Sequence, residues 1–528
     1  MGYRVGIDFG TCFSFIAYCF DKDGSSRIHI LINPVDRMPY EIPSVFFHGE
    51  KEKMRHLCGY DAIDHADNMR GNENEDKYVV RHIKQKLFEK FKLNGGEISP
   101  KEIVTDFFAY FSGLIKDGLH AEDHSLANSD EPIEAVISVP VVFTEHERSI
   151  IIEAAQAAGI TVIGLIEEPI AIAIDYIRHL NQEGHLEPVI VYDLGGGTVD
   201  VACIKYHPNK THEVQLRDGA RVYIPSESTY EVIVSDGKRI GGVKWDEILS
   251  QYILDRCEEE YKAPPVQDPG RPFYKRVIET KHRLSKNDEI NMPFTYIDSN
   301  IPQNRNVLIT RKHFEEKTNE LLKETMDCIR HVSSRCGFKS GTKVRVVLSG
   351  GSSRMPQVRE GVLDILENEM GVTVINKTSM LYRHEKAVAL GAARYADSLP
   401  PIKRVVTSSM FGIAIQGNET FLVEKGQEVP TENLEWTLDA KIENELEISV
   451  IERYDKVQNY LSQTDRIMSL KLKFDKPTSK KVKVKGSLAV QEGGIIKLSV
   501  VNPITKDTET RFFSTNSFPH PRRLKVKQ

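Results

Sequence analysis

The stretch Val191-Tyr192-Asp193-Leu194-Gly195-Gly196-Gly197-Thr198-Val199-Asp200 restricts the choice of fold more than any other part of this chain. An unbroken apolar run, Val189-Ile190-Val191, leads into it, as expected of a strand buried on both faces. A second β-rich run, Val199 to Ile204, leads out. Three successive glycines weaken a strand entropically, so some group must approach the backbone closely there. Phosphate is the usual reason, because N–H groups free of side chains converge on its oxygens and Thr198 adds a hydroxyl. Asp193 and Asp200 would repel a bare triphosphate, which implies a magnesium ion between them and it. In isolation, a tight hairpin with an incidental acidic rim would look the same.

The design recurs. Arg4-Val5-Gly6-Ile7-Asp8-Phe9-Gly10-Thr11-Cys12-Phe13-Ser14 again runs apolar strand, Asp, Gly, Thr, then β-rich residues to Phe20. Two copies about 185 residues apart point to a duplicated domain in which each half offers a phosphate grip and a carboxylate. A third glycine turn, Ser349-Gly350-Gly351-Ser352-Ser353-Arg354, follows the buried run Val346-Val347-Leu348. The chain has neither a G-x-x-x-x-G-K-S/T loop nor a G-x-G-x-x-G fingerprint, which excludes the P-loop and dinucleotide-fold readings.

This set of three turns resembles the actin, hexokinase and heat-shock ATPase superfamily. The flanking residues Ala135 to Thr144, Glu147-Arg148, Ala154 to Gly159, Glu167-Glu168-Pro169, Gly241-Gly242 with Asp246, and Glu385 to Ala393 resemble the seventy-kilodalton heat-shock (DnaK-type) chaperones. The likeness is strong over residues 3 to about 397 and weaker to about 515. It implies an α/β fold: a duplicated actin-like (ribonuclease H-like) two-lobed ATPase domain over 1–397, a linker at 398–404, a smaller all-β sandwich resembling a peptide-binding domain over 405–515, and a basic disordered tail at 516–528.

Composition sets outer bounds. The 528 residues are 40% hydrophobic and 28% charged, a soluble globular balance with room for several domain-sized units. A net charge of −6 argues against a nucleic-acid binder that works by neutralising phosphates. No apolar run approaches the ~20 residues of a membrane span. Seven scattered cysteines without C-x-x-C indicate neither a disulfide framework nor a zinc site, and fit a reducing cytoplasm. His56, His65 and Asp67 lack metal-ligand spacing and read as solvated surface.

Resemblance also supplies candidate roles. Asp8, Asp193 and Asp200 would organise magnesium and water, Asp8 and Asp193 mostly through the ion's water shell. Gly10, Thr11, Cys12, Gly195, Gly196, Gly197 and Thr198 would meet the phosphates of ATP or ADP. Glu168 would sit near the attacking water, with Pro140 and Arg148 relaying nucleotide state. Lys77 to Phe91 reads as a basic helix. The family's catalytic lysine there aligns with Val80 or Arg81, so Arg81 is the substitute cation, with Lys84 and Lys86 one turn on. The adenosine pocket would use Lys281 and Ser285, one helical turn apart, with Gly350, Gly351, Ser352 and Arg354 as its other wall and Glu385 in place of the family's aspartate. Ile278 stands where the family has glutamate, and His282 where some members have arginine.

From Val405 onward the period switches to two, as in Leu446-Ile448-Val450 and Ile496-Leu498-Val500, the pattern of half-buried strands. Val429-Pro430 and Glu492 to Val500 resemble pieces of the chaperones' peptide-binding sandwich. After Phe513 fifteen residues remain, too few for the family's helical lid, so peptide binding would be weak and quickly reversed. The linker around Pro400-Pro401 is neither acidic nor leucine-rich, unlike the family's. Three functions are consistent with these features: a slow magnesium-dependent ATPase that acts as a chaperone on extended peptides, a nucleotide-binding co-chaperone or scaffold with little hydrolysis, and a small-molecule kinase. The first leads, as a monomer with J-domain and nucleotide-exchange partners, and without nucleic acid or membrane contacts.

Overall fold

The computed structural model describes residues 3–22, 25–32, 41–49, 56–69, 75–94, 96–122, 132–180, 186–208, 211–215, 221–225, 229–262, 273–298, 301–382, 385–398, 402–404, 410–424, 427, 431–453, 464–474, 478–491 and 495–514. Pro400-Pro401, Val429-Pro430, Glu492 and the basic tail lie outside these residues.

Two sheets of the same design form the first part. In the first lobe, β1 (Tyr3–Asp8), β2 (Phe13–Lys22), β3 (Ser25–Ile30), β4 (Ile133–Val139) and β5 (Ile160–Glu167) run in the order β5-β4-β1-β2-β3. The second lobe has β6 (Val189–Leu194), β7 (Val199–His207), β8 (Thr229–Lys238), β9 (Lys343–Ser349), β10 (Thr373–Val374) and β11 (Ile402–Arg404), ordered β10-β9-β6-β7-β8-β11. In each, the first strand pairs antiparallel with its hairpin partner and parallel with a later strand. Strand β6 is buried along its whole length because helices cover both faces, which explains its unbroken Val-Ile-Val run.

Helices α1 (Tyr60–Met69), α2 (Pro100–Glu122), α3 (Glu145–Ala157) and α4 (Glu168–Leu180) surround the first lobe, and α5 (Gly242–Tyr261), α6 (Phe273–Leu284) and α7 (Arg311–Arg335) the second. Helix α8 (Ala387–Ser398) packs on α4 between the two sheets. Thr144 and Glu147 close the α3 N-terminus as a capping box, worth about 1 kcal/mol. Gly391 lets α8 lie directly on α4, since a Cβ there would collide with the Ala171 backbone.

The described residues of 410–514 form eight strands: β12 (Met410–Ile415), β13 (Asn418–Val423), β14 (Leu434–Ile442), β15 (Glu445–Arg453), β16 (Thr464–Lys473), β17 (Thr478–Gln491), β18 (Ile495–Val501) and β19 (Thr508–Ser514). They form two four-stranded sheets, β13-β12-β15-β16 and β14-β17-β18-β19, around one apolar core that includes Trp436, Ile448 and Leu498. The period-two pattern buries alternate residues in this core.

Two expectations are corrected. Lys77 to Phe91 is not one helix. After the short helix Glu75–Tyr78, strand Val79–Arg81 pairs with Val45–Phe47, and a 3-10 turn follows at Ile83–Gln85. Two β-branched valines suit a strand, and His82 at φ 56° ends any helical path. Ile402–Arg404, expected to lie in an unpaired linker, instead extend the second sheet, pairing in parallel with Tyr230–Val232.

Candidate functional site

The two lobes face each other across a cleft of about 560 Å³. All the nominated site residues line it except Asp200, Ser285 and Arg354. Asp200 is buried immediately behind, where its Oδ1 accepts the Val141 amide at 2.7 Å. Ser285 turns its hydroxyl back onto the Lys281 carbonyl. Arg354 pairs with Glu385 at 2.9 Å, both partly exposed.

The glycine turns are constrained by each other. A Cβ on Gly196 would run into Cys12 Sγ, and one on Gly197 into Thr11 Oγ1 and the Gln85 amide. Gly241, which precedes α5, lies against the backbone of Gly196 and Gly197. Gly350 combines φ +79° with close approach to Leu194, so it tolerates no side chain. The result is a cradle of bare backbone whose floor is built from both hairpins.

Beside the cradle lie four acids. Asp8 ends β1, Asp193 and Asp200 face each other across the β6–β7 hairpin, and Glu168 opens α4. The cation among them is Lys84, not Arg81. Lys84 is only 4% exposed, and its Nζ donates to Glu168 Oε1 at 2.5 Å. Burial opposes its charge, but Glu168 and Asp8 outweigh that and hold its pKa above a lysine's usual value. Arg81 also reaches the cleft, but its guanidinium is engaged at 3.1 Å with Asp67. The left-handed backbone at His82 followed by the 3-10 turn carries Lys84 and Gln85 inward, and Gln85 Nε2 donates to the Gly197 carbonyl at 3.0 Å.

One lysine does not balance four acids. Burial, with Glu168 adding repulsion, pushes Asp8 up to about 7 despite Lys84 and the Ser138 hydroxyl. Burial and Glu168 likewise push Asp200 up to about 8. Asp193 is raised too, by burial first and then by Glu168, Asp200 and Asp8. Buried carboxyls that resist ionising next to a backbone cradle fit a cation carried in with an anionic ligand, which would favour their charged forms. Among the described residues no three His, Cys, Asp or Glu side chains form a ligand set for a bare metal ion.

On the other wall, Lys281 pairs with Asp246 at 2.8 Å and donates to the Gly242 carbonyl at 3.1 Å. Asp246 lines the cleft as well, and its one signal in the sequence is the resemblance around Gly241-Gly242. His282 also faces the cleft, its pKa lowered by burial and then by Lys281 and Arg354 nearby.

Contacts continue from this site to the eight-stranded part. Val141, held by Asp200, belongs to the loop that leads into α3. At the start of α3 the Glu145 amide donates to Glu452 Oε2 of β15 at 3.0 Å, and Glu452 is fully buried. From the first turns of α3, Arg148 Nε donates to the Phe143 carbonyl of that loop, and Arg239 clamps Glu147 through both terminal nitrogens. No helix among the described residues is long and apolar enough to cross a membrane.

A family model described as "Hsp70 protein" matches residues 4–517 of this chain, and the chain belongs to that family, whose members are generally ATP-dependent chaperones that bind ATP or ADP with magnesium, peptide substrates and co-chaperones.

Proposed function

We propose that this chain is a slow magnesium-dependent ATPase that couples the nucleotide in its cleft to weak, fast-exchanging binding of extended peptides by residues 405–515, with residues 1–397 as the nucleotide-binding part. The observation that carries this reading is the cluster of Asp8, Glu168, Asp193 and Asp200 around Lys84, set beside a two-sided glycine cradle. Bound magnesium supplies charge neutralisation at the phosphates. The chain's own residues do the rest. The amides of Gly195 to Gly197 with Thr11 and Thr198 hold the phosphates, Asp8 and Asp193 orient the ion's water shell, and Glu168 accepts a proton from the attacking water. Lys84 stands where it stabilises the charge that moves onto the transferring phosphoryl group, and so takes the role first given to Arg81. Phosphoryl transfer to water needs such positioning and electrostatics more than covalent help.

Coupling is supported by the contacts that leave the site. Asp200 holds the loop that begins α3, Glu452 caps that helix from the β-stranded part, and β11 joins the second lobe's sheet. The alternative, a nucleotide-binding co-chaperone or scaffold with little hydrolysis, is favoured by the atypical linker, whereas Lys84 inside the acid cluster favours hydrolysis. J-domain proteins and nucleotide-exchange factors are the partners this reading calls for, in a reducing cytoplasm and with a monomeric chain.

The test is calorimetry of ATP with magnesium on the wild type and on Asp193→Lys, together with stopped-flow release of a labelled peptide. ATP binding should be lost in Asp193→Lys, and peptide should leave quickly in the wild type. Unchanged ATP affinity in the variant would show that the cleft is misassigned. Peptide release over many minutes that ATP cuts sharply would refute fast exchange.

A further inference from the structure

The glycine turn of the second lobe has its three carbonyls fixed from outside. Gly242 and Val243, at the start of α5, donate their amides to the Gly195 and Gly196 carbonyls, each at 2.9 Å. The Gly197 carbonyl receives Gln85 Nε2 at 3.0 Å. The first two donors belong to the same lobe as the turn, and Gln85 belongs to the other. Ile83–Gln85 is a 3-10 turn, in which successive side chains leave about 120° apart. Lys84 thereby enters the acid cluster while its neighbour Gln85 meets the glycine turn.

A trans peptide sends its C=O and its N–H in opposite directions. Gln85 does not line the cleft, whereas Gly197 and Thr198 do. A Gly197 carbonyl held by Gln85 therefore leaves the Thr198 N–H on the cleft side. Glycine turns about its backbone bonds at little steric cost, so without that hold the peptide is free to show an anion its carbonyl oxygen instead. The turn also has a direction. Gly195 lies against Gly242 and Ser352, on the Lys281 wall, and Thr198 lies with its hydroxyl beside the Asp200 carboxyl.

We propose that Gln85 is a positioning residue for phosphoryl transfer: its bond from the opposite lobe fixes the Thr198 amide toward the transferring phosphoryl group, so the cradle is complete only with the lobes closed. The inference rests on the assignment of the cleft as a nucleotide site. A preorganised amide aimed at the acid-cluster end serves the transition state more than it serves a bound diphosphate. Losing its orientation slows the chemical step and leaves the diphosphate in place.

The experiment measures single-turnover hydrolysis of magnesium ATP by quench-flow, and magnesium ADP affinity by calorimetry, on the full chain and on Gln85→Ala and Gln85→Glu. Gln85→Ala should hydrolyse ~10–100-fold more slowly, with ADP affinity changed less than ~3-fold. An ionised glutamate cannot donate to a carbonyl, whereas a protonated one can. Gln85→Glu should therefore be slower than Gln85→Ala at about pH 8 and overtake it at about pH 5.5. A side chain that merely packs would give the two variants parallel pH profiles, and that result would overturn the proposal. So would hydrolysis by Gln85→Ala within ~3-fold of the wild type, or a loss of ADP affinity as large as the loss of rate. A readout without nucleotide keeps the site assignment separate. The Gly242 and Val243 amides are held by the neighbouring carbonyls of the turn, so their hydrogen exchange should quicken in nucleotide-free Gln85→Ala. Unchanged exchange there means that Gln85 pins nothing, and the proposal falls. If ADP fails to bind the wild type while that exchange quickens, the nucleotide reading falls and Gln85 remains the pin of the turn.

Discussion

The hairpin Tyr3 to Lys22 and the hairpin Val189 to His207 occupy the same place in two sheets of the same order, and each delivers an aspartate and a turn to one cleft. They divide the labour differently. The second-lobe turn is backbone alone, Gly195 to Gly197, whereas the first-lobe turn offers side chains, Thr11, Cys12 and Phe13. The glycine contacts give the reason: the Thr11 and Cys12 side chains already occupy the space next to Gly196 and Gly197. A duplicated motif that closes on itself cannot carry side chains on both copies. The glycines in the second copy thus answer to the first hairpin as well as to any phosphate.

Lys84 and Arg81 test this comparison most severely. Both rise from the first lobe, but only Lys84 reaches the acids contributed by both hairpins. Lys84→Ala should lower single-turnover ATP hydrolysis ~100–1000-fold, the scale of removing a preorganised charge donor. Arg81→Ala should change the chemical step only a few-fold. Equal losses from both would put the catalytic cation back at Arg81.

A smaller effect probes the contact between the turns. Gly197→Ala should weaken ATP binding ~10-fold, because its Cβ meets Thr11 Oγ1 and the Gln85 amide. Thr11→Gly placed on that background should recover part of the loss, measured by calorimetry, even though Thr11→Gly alone weakens binding. Absence of any recovery would mean the glycines answer to the ligand only.

The mildest effect is on pH. Asp8 and Asp200 titrate near 7 and 8 in the folded protein and near 3.8 when unfolded, so the native state keeps protons the unfolded chain has lost. Stability of the nucleotide-free protein therefore falls as pH rises from about 4 toward those raised values. A cation brought in with nucleotide favours the ionised acids, so binding should release protons and tighten a few-fold between pH 6 and 8. Calorimetry in buffers of different ionisation enthalpy reads the protons directly, and proton uptake would contradict the assigned cluster.

How much of this was legible in the residues depended on distance along the chain. Both hairpins, the third turn and helix α3 could be read because each signal lies within about ten residues: apolar run, glycine, hydroxyl, capping pair. The cation could not. Its position follows from pairing of Val79–Arg81 with Val45–Phe47, a partner far away in sequence, and from a left-handed His82 that no local rule announces. Asp67, read as solvated surface, is drawn to the cleft by α1 facing α6, again a tertiary fact. The same holds for Ile402–Arg404, whose Pro-flanked, polar text looks like linker until the edge of β8 is available to it.

That short edge strand has a consequence for reach. Between Ser398 and Met410 lie eleven residues, which fully extended could span about 36–40 Å. With Ile402–Arg404 bound to the sheet, only five residues separate the anchored point from Met410, a leash of at most ~18 Å. Shortening a tether raises the effective concentration of the group it carries, as long as the leash still spans the gap. With those three residues on β8, the β-stranded part is confined to a smaller volume around α3 than the unpaired segment would allow, which keeps Glu452 close to the Glu145 amide with no change in the strength of that bond.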